Sequence, residues 1–100
     1  MKLWLDDVRD PTVEGDWVIA RTADEALEIL KNNDVSIVSL DHDLGDVNEK
    51  TGYDVLCEME QWVHDDPEYI PPMMYVHSAN PVGRTRMNQV IQSIKKKVWQ

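Results

Sequence analysis

Three short segments of this chain carry side chains of the types and spacing that do chemistry. Asp6-Asp7 follows the apolar run Lys2-Leu3-Trp4-Leu5, and Asp41-His42-Asp43 follows Val35-Ser36-Ile37-Val38-Ser39-Leu40. The third, His77-Ser78-Ala79-Asn80-Pro81-Val82-Gly83-Arg84, follows Met73-Met74-Tyr75-Val76. Carboxylates drawn together cannot all ionise without a counter-charge. A hard divalent cation supplies it, and all-oxygen ligation suits Mg²⁺ or Mn²⁺ better than zinc. Asp6, Asp7, Asp41 and Asp43 are the expected ligands. Because Asp6 and Asp7 are adjacent, only one of them is expected to reach the ion directly. On extended backbone Asp41 and Asp43 point one way and His42 the other.

The third segment reads as an anion cradle. Free amides at a helix start bind phosphate, Gly83 permits close approach, and Arg84 can clamp two oxygens. Asn80 caps that helix, and a cap can also contact a ligand. Arg9 either meets the same anion or pairs with Asp6 or Asp7. His42 and His77, both at strand ends beside the acids, are candidates for general acid, general base or metal ligand. His64 lies near a helix end and reads as an ordinary surface residue.

Positioning these groups requires a particular set of elements. The runs 2–5, 17–20, 35–40 and 73–76 are short and apolar, as buried strands are. Thr22-Ala23-Asp24-Glu25 has capping-box spacing and opens a helix with Ala23, Ala26, Leu27 and Leu30 as its buried stripe. Asn32-Asn33-Asp34 ends it. Thr51-Gly52-Tyr53-Asp54 opens a second helix, buried through Val55, Leu56, Met59, Trp62 and Val63 and stopped by Asp65-Asp66-Pro67. Asn80-Pro81 opens a third, with Met87, Val90, Ile91, Ile94 and Val98 as its stripe. Residues 6–16 and 46–50 read as loops.

Strands alternating with helices imply an α/β fold, a small three-layer sandwich around a four-stranded, mostly parallel sheet. Right-handed crossovers favour the order 2-1-3-4, which sets the first and third strands side by side where the winding reverses. Ligands bind at that switch point, outside the carboxyl ends of the strands.

One hundred residues make a single domain, and a 42% hydrophobic content fits a globular chain rather than a disordered one. A net charge of −9 argues against a basic face for long duplex nucleic acid. A small phosphate-bearing ligand stays compatible, since a bound cation reverses the local field. No apolar run approaches the roughly 20 residues of a membrane span, and the start lacks a signal peptide's apolar core. The expectation is a cytoplasmic protein without a membrane partner. Cys57, the single cysteine, reads as an inert thiol, and Lys95-Lys96-Lys97 as favourable charge at a helix carboxyl end.

Together, Leu5-Asp6-Asp7 with Arg9 and Pro11, Leu40-Asp41-His42-Asp43-Leu44, Thr51-Gly52-Tyr53-Asp54, and His77-Ser78-Ala79-Asn80-Pro81 with Gly83-Arg84 resemble the cyclic-phosphate-processing receiver-like domain family. The resemblance spans nearly the whole chain. More distantly, the chain is similar to two-component receiver domains. That similarity implies that Asp6 and Asp7 hold the metal, Asp41 occupies the phosphoacceptor position and Ser78 matches the Ser/Thr hydroxyl at the fourth strand's end. Ordinary receivers also have a helix between their first two strands and a lysine on a fifth strand. Here the first connection is a loop and the sequence stops before a fifth strand.

The resulting expectation is a metal-dependent phosphoesterase acting on a cyclic phosphate, such as a cyclic nucleotide or the 2′,3′-cyclic end of an RNA. Asp41, His42, His77 and Ser78 are the expected catalytic residues, Asp41 as ligand or as nucleophile. Arg9, Ser78, Asn80, Gly83 and Arg84 are the expected phosphate contacts. The alternative is a non-catalytic receiver-like module that binds a cyclic nucleotide or a phosphorylated partner.

Overall fold

A computed structural model describes residues 1–45 and 50–98. The elements run β1 (Lys2–Leu5), β2 (Trp17–Ala20), α1 (Ala23–Asn32), β3 (Ile37–Leu40), α2 (Gly52–Asp65), β4 (Met73–Val76) and α3 (Pro81–Val98). The loop expected over 46–50 lies outside the described residues except for Lys50. β3 begins two residues later than the apolar run suggests.

All neighbouring strands are parallel, and the sheet order is β2-β1-β3-β4. Steps from β2 to β3 and from β3 to β4 run in one direction. Right-handed crossovers therefore put α1 and α2 on the same face, and α3 packs beside α2. The core forms there: Leu3, Leu5, Val38 and Leu40 meet Leu56, Met59, Met87 and Ile94. Each such side chain, wholly buried, contributes about 1.5–3 kcal/mol.

The step from β1 to β2 runs the other way, so residues 6–16 cover the opposite face. The sandwich thus has one helical layer, and a loop serves as its other outer layer. Hydrogen bonds hold that loop down: Trp4 Nε1 donates to the Arg9 carbonyl (3.0 Å) and Trp17 Nε1 to the Val13 carbonyl (2.9 Å). Arg21 donates to the carbonyls of Asp6 (3.2 Å) and Arg9 (3.0 Å). The cover is incomplete, leaving Tyr75 50% and Met73 57% exposed on edge strand β4.

Local signals fix the helix starts. The Thr22 hydroxyl accepts from the Glu25 amide, and Thr51 with Asp54 forms a complete capping box. Asn80 Oδ1 accepts from the Gly83 amide (3.1 Å), with Pro81 in the first helical position. Asn32 and Asn33 side chains close α1 by donating to the carbonyls of Glu28 and Ile29. Lys95, Lys96 and Lys97 sit in the last turn of α3. Cys57 is half-buried, and burial holds its thiol above the ordinary range. No helix is long and apolar enough to cross a membrane among the described residues.

Candidate functional site

The strands end level. Leu5 pairs with Ala20 on one side and Leu40 on the other, and Leu40 pairs with Val76. One residue further on, the ladder continues: Asp6 N donates to Ala20 O, Asp41 N to Leu5 O and His77 N to Leu40 O. Asp6, Asp41 and His77 therefore stand in one row. Strand alternation turns their side chains to the loop-covered face, the side of Trp4 and Ser39. One ligand atom from each of the three lies within 4.8 Å of the others, close enough to hold one metal ion.

Burial sharpens the electrostatics of this row. Asp6 is wholly buried. Burial pushes its carboxyl up, but the amides of Arg9 (2.8 Å) and Val8 (3.0 Å), with His77, bring it below the usual range. Asp41 is held above its usual range by burial and by the Asp6 charge. Burial lowers the pKa of His77 more than the two carboxylates raise it. A neutral His77 donates from Nε2 to Asp6 Oδ2 (3.2 Å) and accepts from the Ser39 hydroxyl at Nδ1 (2.8 Å). Trp4 stacks on the imidazole, centroids 3.9 Å apart and planes within 8°. The ring is held on three sides.

A second group forms on the helix side of the same strand end. His42 points away from Asp41, as extended backbone dictates, and lies against Gly83 of α3. A Cβ on Gly83 would stand 2.5 Å from His42 Cγ, so the missing side chain makes room for the imidazole. Gly83 was expected to give an anion close approach; its close neighbour is His42. Asp43 departs from the alternation. β3 stops at Leu40, and the backbone turns so that Asp43 Oδ1 accepts from His42 Nδ1 (2.9 Å). This bond, with one from Asn80, lowers the Asp43 pKa. Asp43, expected beside Asp41, is not among the three converging ligand residues.

Asp7 is also outside the three; it is half-buried, with Oδ2 facing Gly45. Ser78 is buried, and its Oγ accepts from the Asn80 amide (3.1 Å). Arg9 pairs with neither Asp6 nor Asp7, and its charge is felt at Asp41 and His77. Arg84 is exposed in the first turn of α3, where its amide donates to Asn80 O (2.8 Å).

Residues 1–93 match the family model of the cyclic-phosphate processing receiver domain. The chain belongs to this family. No curated protein matches it. For this receiver domain, reading the motifs alone missed Ser39, Trp4 and Gly52. Ser39 is the lone polar residue inside an apolar strand, two before Asp41 and hence on its face. Trp4 stands in the same relation to Asp6, and the register sets Trp4 beside Ser39. Those two spacings were the available signal. Gly52 stood in the Thr51-Gly52-Tyr53-Asp54 motif as a helix start only: its amide donates to His42 O (3.2 Å), and a Cβ there would stand 1.9 Å from the Asp41 carbonyl oxygen.

Proposed function

We propose that this receiver domain is a metal-dependent phosphoesterase that opens cyclic phosphates. The observation that carries the reading is the convergence of Asp6, Asp41 and His77 at the switch point, where the charge of Arg9 is felt. Two buried carboxylates facing one neutral imidazole hold more negative charge than the site neutralises, which suits a divalent cation. A nitrogen in the donor set shifts the preference from Mg²⁺ towards Mn²⁺. When bound, the cation supplies positive charge against the phosphoryl oxygens and lowers the pKa of water.

The chain's own residues do the rest. Ser39 can accept from His77 Nδ1 as readily as donate to it, so the ring can present an unprotonated Nε2 to a cation. Arg9 takes charge developing on the phosphoryl oxygens. Asp43 holds His42 through Nδ1–H, as a carboxylate does in a catalytic triad, leaving Nε2 free to accept a proton. Water adds to phosphorus as His42 Nε2 takes its proton, the ester bond to one ribose oxygen breaks, and that oxygen takes the same proton back from the imidazolium. Covalent attack by Asp41 is not used in this scheme.

The capture-only reading is favoured by one observation: His42 and Gly83 are packed as a structural joint. Turnover separates the two. With Mn²⁺, the domain should convert a nucleoside 2′,3′-cyclic phosphate to a monophosphate, and His42→Gln should slow it by roughly 10²–10⁴. Asp41→Asn should remove both turnover and the Mn²⁺-induced rise in melting temperature. Binding without turnover in any divalent metal would leave the capture module standing.

A further inference from the structure

The face left open by the missing second helical layer holds a groove of about 410 Å³, within the range of small-molecule sites. Trp4, Trp17, Ile37 and Tyr75 form its apolar wall, and Ser39 and His77 close its upper end. Lys2, Thr12 and Glu14 supply polar groups around it. Trp4 and Trp17 meet edge to face, centroids 5.7 Å apart. His77 belongs both to this groove and to the row with Asp6 and Asp41. His77 thus links the groove to the row, whose carboxylates Asp6 and Asp41 lie buried behind it.

We propose that this groove binds the base of a nucleotide whose cyclic phosphate lies on the Asp6–Asp41–His77 row. The inference rests on the function proposed above and names its substrate class: a nucleoside 2′,3′-cyclic phosphate, free or ending a short strand. A planar base has a π-face for aromatic walls and a polar edge for the surrounding Lys2, Thr12 and Glu14. An aliphatic substituent has no use for that mixture. The ribose then spans the step from groove to row at His77. With a chain charge of −9, the favoured ligand is one nucleotide or a strand end rather than a long polyanion. Tyr75, half-exposed and outside the core, is the residue to change without disturbing the fold.

The experiment compares adenosine 2′,3′-cyclic phosphate with 1-O-methylribose 2′,3′-cyclic phosphate, which lacks the base, in the presence of Mn²⁺. Binding is read by quenching of tryptophan emission and by calorimetry, and turnover by chromatography. The base-free compound should bind about 10- to 100-fold more weakly, as should the nucleotide to Tyr75→Ala, the range of one base stacked on aromatic side chains. Equal affinity for both compounds, or a Tyr75→Ala domain that binds the nucleotide like wild type, overturns the groove assignment. Turnover of both at equal rates overturns it too, while leaving the phosphoesterase intact. Tyr75-dependent binding of the nucleotide without turnover does the reverse: the groove stands and hydrolysis falls. Sedimentation shows whether a second copy covers this face instead. A dimer that Tyr75→Ala converts to monomer, with no change in nucleotide affinity, also overturns the proposal.

Discussion

Replacing Gly52 by alanine tests whether the backbone of α2 holds the candidate site in place. An added Cβ would stand 1.9 Å from the Asp41 carbonyl oxygen and 2.9 Å from Met87 Cε. The methionine end can move aside. The carbonyl cannot, because Asp41 N is bonded to Leu5 O (2.9 Å) within the sheet. Carbon and carbonyl oxygen approach no closer than about 3.3 Å even in favourable contacts, so a gap of roughly 1.4 Å must open. Opening it breaks the bond from Gly52 N to His42 O, about 1 kcal/mol, and strains the joint by about 1–3 kcal/mol. Alanine's better helix propensity returns at most about 1 kcal/mol. The net expectation is a loss of about 2 kcal/mol in urea unfolding, with the Mn²⁺-induced stabilisation lost as Asp41 shifts. Thr51→Ala is the companion variant: it removes the capping box and costs about 1 kcal/mol but leaves Asp41 in place and the Mn²⁺ response present. A Gly52→Ala domain as stable as wild type, with an undiminished metal response, would refute the reasoning.

Three further outcomes follow from the same geometry. Gly83→Ala should destabilise by about 1–3 kcal/mol, yet become neutral or stabilising in a His42→Ala background, where the crowded ring is gone; urea unfolding of the four variants measures the coupling. Tyr69 carries a buried hydroxyl without a hydrogen-bond partner among the described residues, and its pKa is pushed up to about 12 by burial. Tyr69→Phe should therefore leave the domain equally stable or stabilise it by up to about 1 kcal/mol, and a loss above that in urea unfolding would show a missed partner. Ser39→Ala removes the group holding His77 Nδ1, and calorimetry should show Mn²⁺ affinity falling by about 10-fold or more, with the fold unchanged by circular dichroism.

The elements, and the edge at which chemistry gathers, were legible in the order of residues. Short apolar runs gave the strands, hydroxyl caps with Asp or Glu three residues on gave two helix starts, and Asn80-Pro81 gave the third. The sheet order followed from handedness, because right-handed crossovers leave few ways to join four parallel strands. Asp6, Asp41 and His77 were visible as polar residues directly after apolar runs. His42 was correctly turned away from Asp41, since alternation holds for two residues beyond the last strand pair.

Which of those residues meet depends on how the elements pack. Equal strand ends place Asp6, Asp41 and His77 in one row, and register is a property of paired strands that no single run encodes. Asp43 leaves the row because the backbone turns after Asp41, and its carboxylate finds His42. Gly52 and Gly83 acquire their meaning from backbone and ring atoms of a distant strand end. The open sheet face arises because residues 6–16 form no helix. A loop can bury Trp4, but it has no continuous apolar stripe with which to cover Tyr75.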